Sequence, residues 1–163
     1  NVEIAPNGLK DLMYSEPARH GNVLAWMAEN SLHFFDLLMR VRSTVSVEDK
    51  NRTEFNLRNS SVTAFDGETV LLGSNVVVDA ETGKRLATNW DDERINLLFA
   101  TRQKIGYRLK DGQLQAIDIL RPSRPPERLA NVQHPPVFQD DSGLLVWTGG
   151  KWMAVKWLSS VPE

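Results

Sequence analysis

The sequence predicts an α+β domain: one long amphipathic helix packed against an antiparallel sheet built of hairpins and closing in a C-terminal Gly-Gly hairpin. Three observations predict it. "NVLAWMAENSLHFFDLLMRVRS" spaces its apolar residues at three- and four-residue steps. After Ser43 the period falls to two. Asp-Gly and Gly-Gly pairs then divide the apolar runs. Nothing alternates β-α-β, so a doubly wound parallel sheet is not expected.

Taken in order, the elements fill a single domain, 1–163. Residues 1–21 carry Pro6, Gly8, Pro17 and Gly21 and read as an irregular arm, with at most a helical turn over 9–15. Residues 22–42 read as the helix. Asn22 is its N-cap, Leu24, Met27, Phe34 or Phe35, Leu38 and Val41 form its apolar stripe, and Arg40 and Arg42 suit its C-terminal end. Residues 43–120 read as antiparallel strands. "STVSVED" and "TEFNLR" alternate, Asp66-Gly67 sits between β-rich runs, and Gly83 suits a left-handed turn position. "NWDDERIN" suggests a short helical turn capped by Asn89. With Asp111-Gly112 as a turn, Leu109 faces Leu114 and Tyr107 faces Ala116. Five prolines between Pro122 and Pro136 make 121–136 an extended connector, with one helical turn at most over 126–130. Residues 137–163 form the terminal hairpin, in which Trp147 lies opposite Trp152. Leu144, Val146, Met153 and Val155 point to the other side. No internal repeat of useful length is visible.

Composition narrows the function. The chain is 41% hydrophobic and 25% charged, with a formal net charge of -2, which gives no general attraction to nucleic acid. No apolar run is long enough for a membrane span. With no cysteine, thiolate metal sites and cysteine nucleophiles are excluded. The lack of cysteine and the start at Asn1 lean towards an extracytoplasmic, processed product, from which an upstream anchor could have been removed.

Chemistry-bearing motifs are scarce. His20, His33 and His134 show no ligand spacing, and Asp91-Asp92-Glu93 and Asp140-Asp141 read as turn carboxylates without the calcium-loop pattern. No phosphate-binding glycine loop and no G-x-S-x-G motif is present. From Arg102 to Arg128 there are seven basic residues against three acidic, a solvated face that would suit an acidic partner. No catalytic residue, metal or cofactor is expected.

A long helix, an antiparallel sheet, "IGYRLKDGQLQ" and a proline-rich crossing into a tryptophan-bearing hairpin form a layout similar to the ectodomains of minor pilins and pseudopilins. The local pattern covers the last third of the chain, and that family's hydrophobic N-terminal segment is absent from these residues. The resemblance implies a component of a larger assembly. The expectation is therefore a non-enzymatic interaction module with a protein partner or self-assembly, its contact residues being Trp147, Trp152, Tyr107 and Trp90. The alternative is a small-ligand or sensor domain with a pocket lined by Trp26, Phe34 and Phe35. An enzyme using His33 or His134 with a distant carboxylate ranks last.

Overall fold

The structure is a computed structural model that describes residues 17–28, 30–47, 61–73, 75–86, 96–132, 138–139 and 142–162. These residues are all β, with no helix among them, which overturns the α+β expectation. The segment 22–42 forms β2 (Val23–Ala28) and β3 (Ser31–Asp36), preceded by β1 (Ala18–His20) and followed by β4 (Arg42–Ser46), in sheet order β1-β2-β3-β4.

The reason lies in the pairing. Ala25 registers with Phe34 and Met27 with Leu32, which places these four side chains on one buried face. Trp26 with His33 and Leu24 with Phe35 lie on the other. A stripe at helical spacing and two strands joined by a turn share several apolar positions, and tertiary pairing decides between them. Asn30, a poor helix former, lies in the turn between the two six-residue strands. The end of the supposed stripe, Leu38 and Val41, is a hairpin tip in solvent, and Arg40 there has a φ of 57° that no helix accommodates. Without this helix the pilin-like layout loses its first element.

Three more antiparallel meanders follow. The second holds β5 (Val62–Phe65), β6 (Thr69–Leu72) and β7 (Val76–Asp79). The third holds β8 (Leu97–Ala100), β9 (Ile105–Lys110), β10 (Gln113–Asp118) and β11 (Glu127–Asn131). The fourth holds β12 (Phe138–Gln139), β13 (Gly143–Thr148) and β14 (Lys151–Lys156). Strand β11 lies inside the predicted connector. It starts just after Pro125 and Pro126 and pairs only with β10, as an edge strand can without meeting a proline. The Asp111-Gly112 hairpin has the expected register, Leu109 with Leu114 and Tyr107 with Ala116. The arm over 1–16, "TEFNLR", Asn89 to Glu93 with Trp90, His134 and Asp140-Asp141 lie outside the described residues.

The sheets stack in chain order. Val70, Leu72 and Val78 of the second sheet join Ala25, Met27, Leu32 and Phe34 of the first in one core. Ala64, Leu71 and Val77, from its opposite face, join the third and fourth sheets in another. Burial on both faces explains why "TVLL" and "VVVD" are nearly continuous apolar runs rather than alternating ones. Strand β5 packs beside β1 and β2, and β8 beside β5 and β6, so the first strands of the first three sheets sit side by side.

A corner recurs about every 40 residues, a spacing within the range of repeat architectures. Asp36, Asp79 and Asp118 each end the third strand of their sheet. Each accepts, through Oδ1, the backbone N–H groups two and three residues on: Leu38 and Met39, Glu81 and Thr82, Leu120 and Arg121. In the fourth sheet the strand ends instead on Lys156, which cannot accept. There the N–H two residues on, of Leu158, donates to the Tyr107 hydroxyl at 2.8 Å.

Candidate functional site

Two places on the stack gather residues capable of recognition. The first comes from "VWTGGKW". Gly149 and Gly150 both have positive φ, 57° and 77°, which two glycines adopt without strain and which matches the twist of the paired strands. The turn sets the register Trp147–Trp152 and Leu145–Ala154. Leu144 and Val146 are buried against the third sheet, with Met153 and Val155 beside them. The alternation therefore turns Leu145, Trp147, Trp152 and Ala154 outward. The two indoles meet edge to face with centroids 5.1 Å apart, an arrangement worth about 1 kcal/mol beyond its area. Trp147 is half-buried, and Trp152 is 47% exposed.

The second place is a cleft of about 500 Å³ where the first loops of all four sheets converge. The first sheet contributes His20, the second Asp66, the third Thr101, Arg102 and Gln103, and the fourth Ser142 and Lys156. Phe99 and Trp157 form the apolar wall, their rings stacked 4.8 Å apart. Asp66 is held by its own loop and by the third sheet's: Oδ1 accepts the N–H groups of Glu68 and Thr69, and Oδ2 accepts that of Arg102. Gly67 is required here. Its φ is 97°, and a Cβ would lie 2.9 Å from the His20 ring.

The predicted contact residues do not share one surface. Trp147 and Trp152 are brought together, but Tyr107 is fully buried and cannot reach a partner. Its ring packs edge-on against Trp157 at 4.8 Å and its hydroxyl takes the Leu158 N–H, so it serves the core. Burial raises its pKa above the usual phenol value, and the hydrogen bond from Leu158 opposes that shift in part. The pocket expected from Trp26, Phe34 and Phe35 does not form either. Phe34 lines a shallow cleft of about 270 Å³ between the first two sheets, whereas Trp26 and Phe35 face the other way. His33 lies over Trp26, and the Arg42 guanidinium donates to its Nδ1 at 3.0 Å. Among the described residues, no three His, Asp or Glu side chains group to hold a metal ion.

The cleft does not stand out in the sequence because its residues come from four different sheets. The available signal was positional: a loop residue after each first strand, and Lys156 where three other sheets have aspartate. Comparison with family models, with curated proteins and with solved structures finds no match to this chain.

Proposed function

We propose that the chain is a non-enzymatic assembly module whose fourth sheet receives a further antiparallel β-sheet on its outward face. The observation that carries this reading is the outward Leu145, Trp147, Trp152 and Ala154 surface, with its paired indoles and a half-exposed Trp152. Exposed aromatic clusters of this kind are where contact energy concentrates. The nature of the occupant follows from continuity with the rest of the stack. Each sheet-to-sheet junction in this chain is made by apolar side chains of consecutive meanders. The adjacency of the first strands of the first three sheets resembles that of successive propeller blades. A fifth sheet laid on the fourth would continue the same contact.

The test is a photo-cross-linking amino acid at position 152 in the native source, with the cross-linked peptide mapped. A peptide from a strand of an antiparallel sheet, in a second copy or in another chain, supports the proposal, and the Trp147→Ser variant should reduce its yield severalfold. Cross-links only to helical or unstructured peptides, or none at all, would overturn it.

A further inference from the structure

We propose that the cleft at the convergence of the four sheets binds a small organic anion through Arg102 and Lys156. It lies at the Ser142 and Lys156 end of the fourth sheet, opposite the Trp147–Trp152 end, and so is independent of the assembly surface.

The charge balance of the cleft carries the inference. Among the described residues, three side chains lining it bear fixed charge: Arg102, Lys156 and Asp66. Three backbone N–H groups already engage both oxygens of Asp66, which offsets much of its negative potential. Neither the Arg102 guanidinium nor the Lys156 ammonium has an ion-pair partner among the described residues. Two cations therefore line a cavity whose one described carboxylate is already satisfied.

The fold also shows that Lys156 is a departure from the local rule. The first three sheets end their third strand on an aspartate that binds its own corner. In the fourth, a cation stands at that place and lines the cleft, and the corner N–H is served by Tyr107 instead. Replacing a corner acceptor by an ammonium contributes nothing to the turn. It places positive charge where loops from four sheets meet.

The cavity and its walls define the ligand class. A volume of about 500 Å³ falls within the range that encloses small organic molecules rather than a bare ion. Trp157 and Phe99 offer an apolar wall, and the Gln103 amide lies on the same rim. The geometry suits a compact body carrying a carboxylate or phosphate group. Arg102 can take either in a two-point contact, and Lys156 adds a point charge.

Titrating the full chain with inorganic phosphate and with citrate, at constant ionic strength in a calorimeter, tests the proposal. At least one of them should saturate; phosphate alone indicates a phosphoryl headgroup, citrate alone a carboxylate. Arg102→Gln and Lys156→Gln should each weaken binding about tenfold, with unchanged circular dichroism. Lys151→Gln, at the far end of the same strand, should bind like the parent, and so should the Trp147→Ser/Trp152→Ser variant. If neither anion saturates, or if both cleft variants bind as the parent does, the proposal is overturned.

Discussion

Trp26 and Trp152 stand in matching places and meet opposite fates. Both lie on the outward face of an end sheet in the stack, and both pair directly across a hairpin with an aromatic ring, His33 in one case and Trp147 in the other. Yet Trp26 is 1% exposed and Trp152 47%. The difference is the strand next door. In the first sheet β4 continues beyond β3 and brings Arg42 over the Trp26 ring at 5.7 Å, with Arg42 and Thr44 both at the His33 nitrogen. In the fourth, β14 is the edge among the described residues. A cross-strand aromatic pair therefore does not bury a tryptophan by itself; a further layer of side chains does. On the first sheet that layer is present, and on the fourth no further strand follows β14 among the described residues.

The sharpest way to break this comparison is truncation on the buried side. Trp26→Ala should cost about 3–5 kcal/mol of folding stability, the range for emptying a large aromatic site, read as a shift in urea midpoint. A loss below about 1 kcal/mol would mean that the first sheet's outer face is as dispensable as the fourth's appears from its exposure.

A smaller effect is expected at the corner that departs from the rule. Tyr107→Phe leaves the Leu158 N–H without its acceptor and should cost about 1–2 kcal/mol. The hydroxyl also ties stability to alkaline pH. Burial makes the phenol titrate above the ordinary value of 10.0 in the folded state. Its contribution is therefore complete below pH 10 and falls as pH rises through the folded pKa. Urea midpoints measured upward from pH 9 should decline more steeply for the parent than for Tyr107→Phe.

Smallest is Asp79, which represents the ordinary corners. Burial alone would raise its pKa. Hydrogen bonds from the Thr82 backbone and hydroxyl and from the Glu81 N–H, with the Lys104 charge, outweigh burial and hold it below 3.8. Its stabilisation is thus present above pH 3.8 and lost as pH falls through the lower folded value. Asp79→Asn keeps an acceptor but no charge. It should lose under about 1 kcal/mol near neutrality and show a flatter acid limb in the same urea series.

Legibility in the sequence followed the range of the interactions. The Asp111-Gly112 and Gly149-Gly150 turns were readable to the residue because a two-residue turn fixes register locally, and both observed registers agree with that reading. The first sheet was not. Between Asn22 and Arg42 an apolar stripe satisfies helical spacing, and only the pairing of Ala25 with Phe34 and Trp26 with His33 shows the period to be two. The repeat is faint in the sequence because the three corners share a single aspartate, while the fourth hides the pattern behind Lys156 and a hydroxyl supplied by Tyr107. The cleft was invisible for a related reason: His20, Asp66, Arg102 and Lys156 are far apart in the chain and meet only when the sheets stack.

Whether the outward tryptophans of the fourth sheet are a surface for contact or part of the core is decided most directly by equilibrium urea unfolding of the Trp147→Ser/Trp152→Ser variant beside the parent. If the pair is a contact surface, the variant folds and loses no more than about 1–2 kcal/mol, the worth of a partly exposed aromatic pair. A loss above about 4 kcal/mol, or failure to fold, would show the two indoles to be core and contradict their role as the assembly surface.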